Sequence, residues 1–228
     1  MPAPQPLPEG FLFDLDGTLV DSVYQHVLAW HQALGEEDIH LAVWRIHRRI
    51  GMSGGLFTSI LARETGIEPE PARLARILRR HHEIYVEHID EVDPLPGAHD
   101  LLEALTAARV PWAIATSGRI ETARPSLELL GVPLDRMVIV TRDQVRHAKP
   151  DPDLFLAAAE RLGLPMHHAT IVGDSVWDML AAQRARGLGI GVLSGGYGEG
   201  ELERAGAYRV FADPADILAH LDEIGGRR

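Results

Sequence analysis

Phe11-Leu12-Phe13-Asp14-Leu15-Asp16-Gly17-Thr18 is the stretch on which the fold turns. Three apolar residues give way at once to two acids and a glycine, which is how a buried parallel strand ends. The next strand does not follow directly. From Ser22 to about Glu91 glycine thins out and apolar residues recur at helical spacing: Val23, Val27 and Trp30, then Leu56, Ile60 and Leu61, then Leu74, Ile77 and Leu78. This block holds about four helices and no strand signal. Strand texture returns only beyond Asp93-Pro94-Leu95-Pro96-Gly97. There, strands predicted at Trp112–Ala115, Met137–Val140, Thr170–Val172, Ile190–Leu193 and Arg209–Phe211 alternate with helices at Leu101–Ala108, Glu121–Leu130, Asp153–Leu162 and Trp177–Arg186, and a last helix closes the chain. Such alternation makes βαβ crossovers and a parallel sheet covered on both faces. One strand precedes the helical block and the others follow it, so the block is an insertion. The expected fold is α/β: a Rossmann-like parallel sheet core from residues 1–21 and 92–228, with an all-helical cap inserted over residues 22–91.

Composition agrees with that size of fold. The chain has 228 residues, 46% hydrophobic and 24% charged, as in an ordinary soluble globular protein. No run of about 18 apolar residues occurs, so no membrane span is expected. Twenty-two Lys+Arg against 33 Asp+Glu give a net charge of −11, a poor footprint for a nucleic-acid backbone. A small anion can still bind in a locally positive cleft. The absence of cysteine excludes disulfides, thiolate zinc sites and a cysteine nucleophile. Met1-Pro2-Ala3-Pro4-Gln5-Pro6-Leu7-Pro8 has no basic segment followed by a long apolar one, so it reads as an extended tail and the protein as cytoplasmic. A monomer or a homodimer is expected, with no nucleic-acid or membrane partner.

In an open parallel sheet, ligands bind beyond the carboxyl ends of the strands. Four strand ends here carry polar clusters. Asp14 and Asp16 lie two apart on an extended segment, so both carboxylates can face one crevice. Each could instead close the strand as an Asx turn. Thr116-Ser117-Gly118 supplies hydroxyls and a glycine that lets backbone N–H groups turn towards an anion, although Ser117 could also simply cap the next helix. Lys149 puts a compact positive charge before Pro150, where a solvated loop lysine is the plain alternative. Gly173-Asp174-Ser175 is followed one helical turn later by Asp178, which could also serve the helix dipole. Crowded carboxylates without cysteine suit Mg²⁺ better than zinc, while the lysine, hydroxyls and loop amides suit a phosphoryl group. One carboxylate can then act as nucleophile and the other as acid and base.

These four segments resemble the haloacid dehalogenase superfamily: Asp14-Leu15-Asp16-Gly17-Thr18-Leu19-Val20-Asp21-Ser22, Ala115-Thr116-Ser117-Gly118, Lys149-Pro150-Asp151-Pro152 and Gly173-Asp174-Ser175-Val176-Trp177-Asp178. The resemblance runs from about Phe11 to Phe211 and is closest to the phosphoglycolate phosphatase and β-phosphoglucomutase branch, which carries a helical cap between the first two segments. It implies Asp14 as nucleophile, Asp16 as acid/base, and Mg²⁺ held by the Asp14 carboxylate, the Asp16 carbonyl and Asp174. It further implies that Thr116, Ser117 and Lys149 bind the phosphoryl group, and that Asp178 supports the metal shell or Lys149. The implied activity is hydrolysis of a small phosphorylated metabolite. A sugar-phosphate mutase would keep the same core. A receiver-type phosphoacceptor domain gathers similar residues but is shorter and has no cap.

The inserted block offers weaker signals. His26 and Trp30, spaced i, i+4, are similar to a pair in sugar-phosphate members whose histidine faces the active site; a packed core histidine is the alternative. Arg48, Arg49, Gly51, Met52 and Ser53 lie where such caps carry a specificity loop, with Arg49 a candidate for a second anion contact. Gly54 and Gly55 occupy the place of the mutase-type arginine, which counts against a mutase, and Asp16 counts against a dehalogenase. His81-His82 and His99-Asp100 are expected as surface histidines on helices.

Overall fold

Gly10–Phe13 (β1) is buried along its whole length because both faces of the strand are covered. Phe11 and Phe13 point into one apolar layer and Leu12 into the other, as alternation along a strand requires. Beside it run Trp112–Ala115 (β2), Val138–Val140 (β3), Ala169–Gly173 (β4), Leu188–Val192 (β5) and Arg209–Phe211 (β6). In the computed structural model, which describes residues 9–52, 57, 61–64, 66 and 70–224, these strands form one parallel sheet in the order β3-β2-β1-β4-β5-β6. The chain moves outward from β1 to β3, then returns to lay β4 on the other side of β1. That reversal opens a crevice at the carboxyl ends of β1 and β4. Register fixes what faces it. Phe13 pairs with Ile114 and with Val172, so Asp14, Thr116 and Asp174 all emerge at one edge of the sheet.

Helices cover both faces of the sheet: Ala98–Ala107 (α4), Ile120–Leu129 (α5), Asp153–Leu162 (α6), Val176–Ala185 (α7), Glu199–Arg204 (α8) and Pro214–Ala219 (α9). Strand and helix positions follow the alternation expected from the sequence. The largest offset is α4, which begins at Ala98 where Leu101 was expected. Gly97, at φ 74°, ends the preceding turn directly, so the polar residues His99 and Asp100 fall inside the first helical turn.

Between β1 and α4 the described residues contain helices and isolated bridges but no strand: Val23–Gly35 (α1), Val43–His47 (α2) and Pro71–Glu87 (α3), with residues 61–64 helical as well. Helix α1 packs along α3. The Met1 to Pro8 tail, Ser53, Gly54, Gly55, and the helical positions Leu56 and Ile60 lie outside the described residues. No described helix is long and apolar enough to cross a membrane.

Leu12, fully buried in the central strand, is a direct probe of this arrangement. Leu12→Ala should cost about 2–5 kcal/mol, read as a lower urea midpoint at unchanged slope. A loss below about 1 kcal/mol would be that of a surface site.

Candidate active site

Asp14 is the first residue beyond β1, and its N–H still donates to the Val172 carbonyl at 2.9 Å. The ladder therefore holds its side chain at the sheet edge, 2% exposed. The chain then folds back within a few residues. The N–H groups of Thr18, Leu19 and Val20 all donate to the Leu15 carbonyl at 2.9–3.2 Å, and that of Gly17 donates to Val20 at 2.8 Å. Gly17 takes φ 76°, and a Cβ there would stand 2.8 Å from the Asp174 carboxylate. Only glycine satisfies both the turn and the close approach.

The other strand ends complete the floor. The Thr116 hydroxyl accepts from the Gly118 N–H at 2.9 Å, which leaves its own proton to donate elsewhere. The Ser117 hydroxyl is buried with no partner among the described residues. Lys149 is fully buried and ion-paired to Asp14 and, at 2.8 Å, to Asp178. Asp178 closes a capping box at the start of α7, its second oxygen accepting from the Ser175 N–H at 3.1 Å and from the Ser175 hydroxyl. It serves the helix and Lys149 at once. Asp174 accepts from the Thr18 hydroxyl at 3.3 Å. Gly195, after β5, presses against it so closely that any Cβ would overlap its carboxylate.

The electrostatics of this floor are unbalanced. Oxygens of Asp14, Asp174 and Asp178, all buried, lie within 4.8 Å of one another. Burial pushes the Asp14 carboxyl up to about 7; Lys149 opposes the rise, and Asp178 and Asp16 add to it. Burial, then Asp178 and Asp14, holds Asp174 well above the usual carboxylate range. Burial works against the Lys149 ammonium, but Asp14 and Asp178 outweigh it and raise its pKa. Three acids thus share one buried lysine. An all-oxygen cluster short of positive charge fits a hard divalent cation.

Asp16 lives in a different environment. Its Oδ1 accepts from the Ser22 hydroxyl at 2.7 Å and faces His26 Nε2 at 3.2 Å, while its Oδ2 has no hydrogen-bond partner among the described residues. Burial would raise this carboxyl, but His26 and Ser22 outweigh burial and hold it below the usual range. His26 also meets His81 through Nδ1 at 3.2 Å, so both ring nitrogens are engaged within the protein.

His81 corrects the sequence reading. It is not a surface histidine: it is 8% exposed and stacks on Trp30 at 4.1 Å. Burial, then His26, pushes its pKa well below the ordinary value. The signal was present, since Ile77, His81, Ile84 and Tyr85 form the buried stripe of α3 at helical spacing. His82 is half-buried and hydrogen-bonds Thr122 at 3.1 Å. His99 and Asp100 are exposed as expected, with Glu103 beside them.

A cavity of about 690 Å³ opens above the floor, with Asp14, Asp16 and Thr116 below and Trp30, Leu74 and Leu78 in its apolar wall. Arg49 lines it too, ion-paired to Glu64 and bonded to the Arg45 carbonyl. Arg48 turns the other way, to Glu201, and its carbonyl accepts from Tyr197 at 2.9 Å and Trp177 at 3.3 Å. His47 meets the Gly195 carbonyl at 2.8 Å. These ties from the end of α2 to Trp177 in α7 and to the chain from Gly195 to Glu201 had no signal in the sequence.

Acids, a lysine and hydroxyls thus converge beyond the strand ends of an open parallel sheet, at its topological switch. The family model for haloacid dehalogenase-like hydrolases matches residues 8–186, and the chain belongs to that family. It is similar to hexitol phosphatase A of Escherichia coli, 35% identical over 182 residues that cover 78% of this chain and 79% of that protein. It is also similar to a phosphoglycolate phosphatase of Rhodospirillum rubrum, 32% identical over 226 residues with 92% and 90% covered. The crystal structure of a hydrolase from Pseudomonas syringae superposes with a TM-score of 0.93 at 53% identity, covering 95% of this chain and 99% of that one. Within the family the chain is a phosphoric monoester hydrolase, which sets the receiver-type reading aside.

The raised acids make a pH prediction. A carboxyl whose folded pKa lies above its unfolded value stabilises the fold below about pH 4 and loses that stabilisation as the pH rises through about 7. A divalent cation binds the ionised acids and displaces their protons. The rise in Tm on adding a divalent cation should therefore grow between about pH 5 and pH 8. A rise of equal size at both would place the cation away from Asp14 and Asp174.

Proposed function

We propose that this chain is a Mg²⁺-dependent phosphatase that hydrolyses a small phosphorylated metabolite through an aspartyl phosphate on Asp14. One observation carries the reading. Two aspartates two residues apart occupy opposite environments: Asp14 stands among acids beside Lys149, while Asp16 has one oxygen held by Ser22 and His26 and the other without a partner among the described residues. The two carboxyls are therefore suited to different roles: Asp14 stands beside the Lys149 charge, and Asp16 lines the cavity where a leaving group would sit.

The residues present fit Mg²⁺, which the Asp14 carboxylate, the Asp16 carbonyl and Asp174 would hold. When bound, the metal supplies positive charge against the acids and the phosphoryl oxygens. Lys149, the free Thr116 proton and the unpartnered Ser117 hydroxyl orient the phosphoryl group over Asp14. An Asp14 oxygen attacks phosphorus, and the bond from phosphorus to the leaving oxygen breaks. Asp16, which its contacts with His26 and Ser22 favour as the carboxylate, must first take up a proton at Oδ2; it then gives that proton to the leaving oxygen, and the alcohol departs. Water then attacks the acyl phosphate at phosphorus and gives its proton to Asp16. The bond to Asp14 breaks, releasing inorganic phosphate and the free carboxylate.

On this reading residues 22–91 act as a cap over a core of 1–21 and 92–228. The cap wall receives the leaving group, which the named relatives suggest is phosphoglycolate-like or a sugar phosphate. An anionic leaving group would compete with Glu64 for Arg49. His26, which lines the cavity, acts through Asp16. The enzyme works in the cytoplasm as a monomer or homodimer.

Excess chelator should abolish turnover of p-nitrophenyl phosphate, and full activity in its presence would refute the metal assignment. Asp14→Asn should remove nearly all turnover of every substrate. Asp16→Asn should lose about 10²–10⁴ in rate on an alkyl phosphate, and much less on p-nitrophenyl phosphate, whose leaving group scarcely needs a proton. Equal losses on the two would show that Asp16 is not the acid.

A further inference from the structure

We infer that His81 is a positioning residue for proton transfer: acting through His26, it fixes one oxygen of Asp16 so that the other does the transfer. This inference rests on the reading of Asp16 as acid and base. A terminal carboxylate torsion is broad and nearly two-fold, so an unanchored aspartate offers either oxygen to a substrate. Among the described residues Asp16 is anchored at Oδ1 alone, by Ser22 at 2.7 Å and His26 at 3.2 Å.

His26 can hold that oxygen only as a donor, because an ionised carboxylate only accepts. Its Nε2 therefore carries the proton, and its Nδ1 faces His81 Nε2 at 3.2 Å. If His26 has no second proton, Nδ1 must accept from His81; if it has one, Nδ1 must donate to His81. An imidazole satisfies either case by choice of tautomer. An apolar residue satisfies neither and would leave a ring nitrogen of His26 buried and unpaired, which favours a turned ring and a released Asp16.

Stacking keeps both rings in place. His81 lies against Trp30 at 4.1 Å and 21°, and Trp30 against Phe57 at 4.6 Å. His26 lies against Tyr85 at 3.8 Å and 10°, and the Tyr85 hydroxyl is pinned by Ser126 at 2.6 Å. The column runs from the cavity wall through α1 and α3 to α5, and its outlet is Asp16 Oδ1.

The test compares phenyl phosphate, a poor leaving group, with p-nitrophenyl phosphate, a good one, in His81→Leu, His81→Gln and Asp16→Asn. His81→Leu should lower kcat on phenyl phosphate about tenfold, a part of the full effect of proton transfer. It should change kcat on p-nitrophenyl phosphate by less than about threefold and leave KM unchanged on both. His81→Gln, which reaches His26 with either a donor or an acceptor, should recover most of the loss. If His81→Leu does not fold, His81→Asn, too short to reach, carries the same comparison against His81→Gln. Equal losses on both substrates, a change in KM alone, or no loss would overturn the positioning role. Asp16→Asn separates the two claims: a selective loss there without one in His81→Leu sinks only the inference, whereas no selectivity in Asp16→Asn sinks the acid/base reading beneath it.

Discussion

Lys149 sits with no solvent exposure between Asp14 and Asp178, and the carboxyl edge of the sheet is arranged around that contact. One buried ammonium cannot compensate three buried acids. Bringing such charges together costs several kcal/mol per ion unless partners offset the desolvation. The fold meets that cost by rigid placement. Asp14 is tied to β4 by its backbone, Asp178 is locked by the cap of α7, and Asp174 is confined by Gly17, Thr18 and Gly195. None of these contacts makes the cluster a good structural element. They make sense for a site that a cation and a phosphoryl group complete.

The same edge holds a second carboxylate under the opposite constraint. Asp14 is crowded by like charge and pushed up, whereas Asp16 leans on His26 and Ser22 and is pulled down. A single residue, Leu15, separates them, enough for one to stay with the sheet and the other to turn towards α1. Phosphoryl attack and proton transfer need different groups within reach of one phosphorus. The loop from Asp14 to Val20 provides that separation, and Gly17 makes the loop possible.

The sheet and its floor were legible because both are written locally. Apolar runs that stop at an acid or a glycine mark the strand ends, and the polar residues just beyond them are the floor. Trp112–Ala115 and Asp153–Leu162 were read with their observed bounds. What could not be read depends on partners far away in sequence. Arg48 finds Glu201 and His47 finds Gly195, contacts that no period or motif encodes. His81 misleads for another reason: its type suggests a surface, while its place in the stripe with Ile77, Ile84 and Tyr85 puts it inside. Arg49 lines the cavity, yet Glu64 already matches its charge.

The most direct test of the account is chemical trapping at Asp14. The enzyme turning over p-nitrophenyl phosphate is quenched in acid within milliseconds, treated with borohydride, digested and sequenced by mass spectrometry. Reduction of an acyl phosphate at Asp14 would convert that residue to homoserine, and homoserine at position 14 alone is the expected result. Homoserine at position 16, 174 or 178 would contradict the account, because the attacking oxygen would then belong to a residue assigned to proton transfer, metal binding or the support of Lys149.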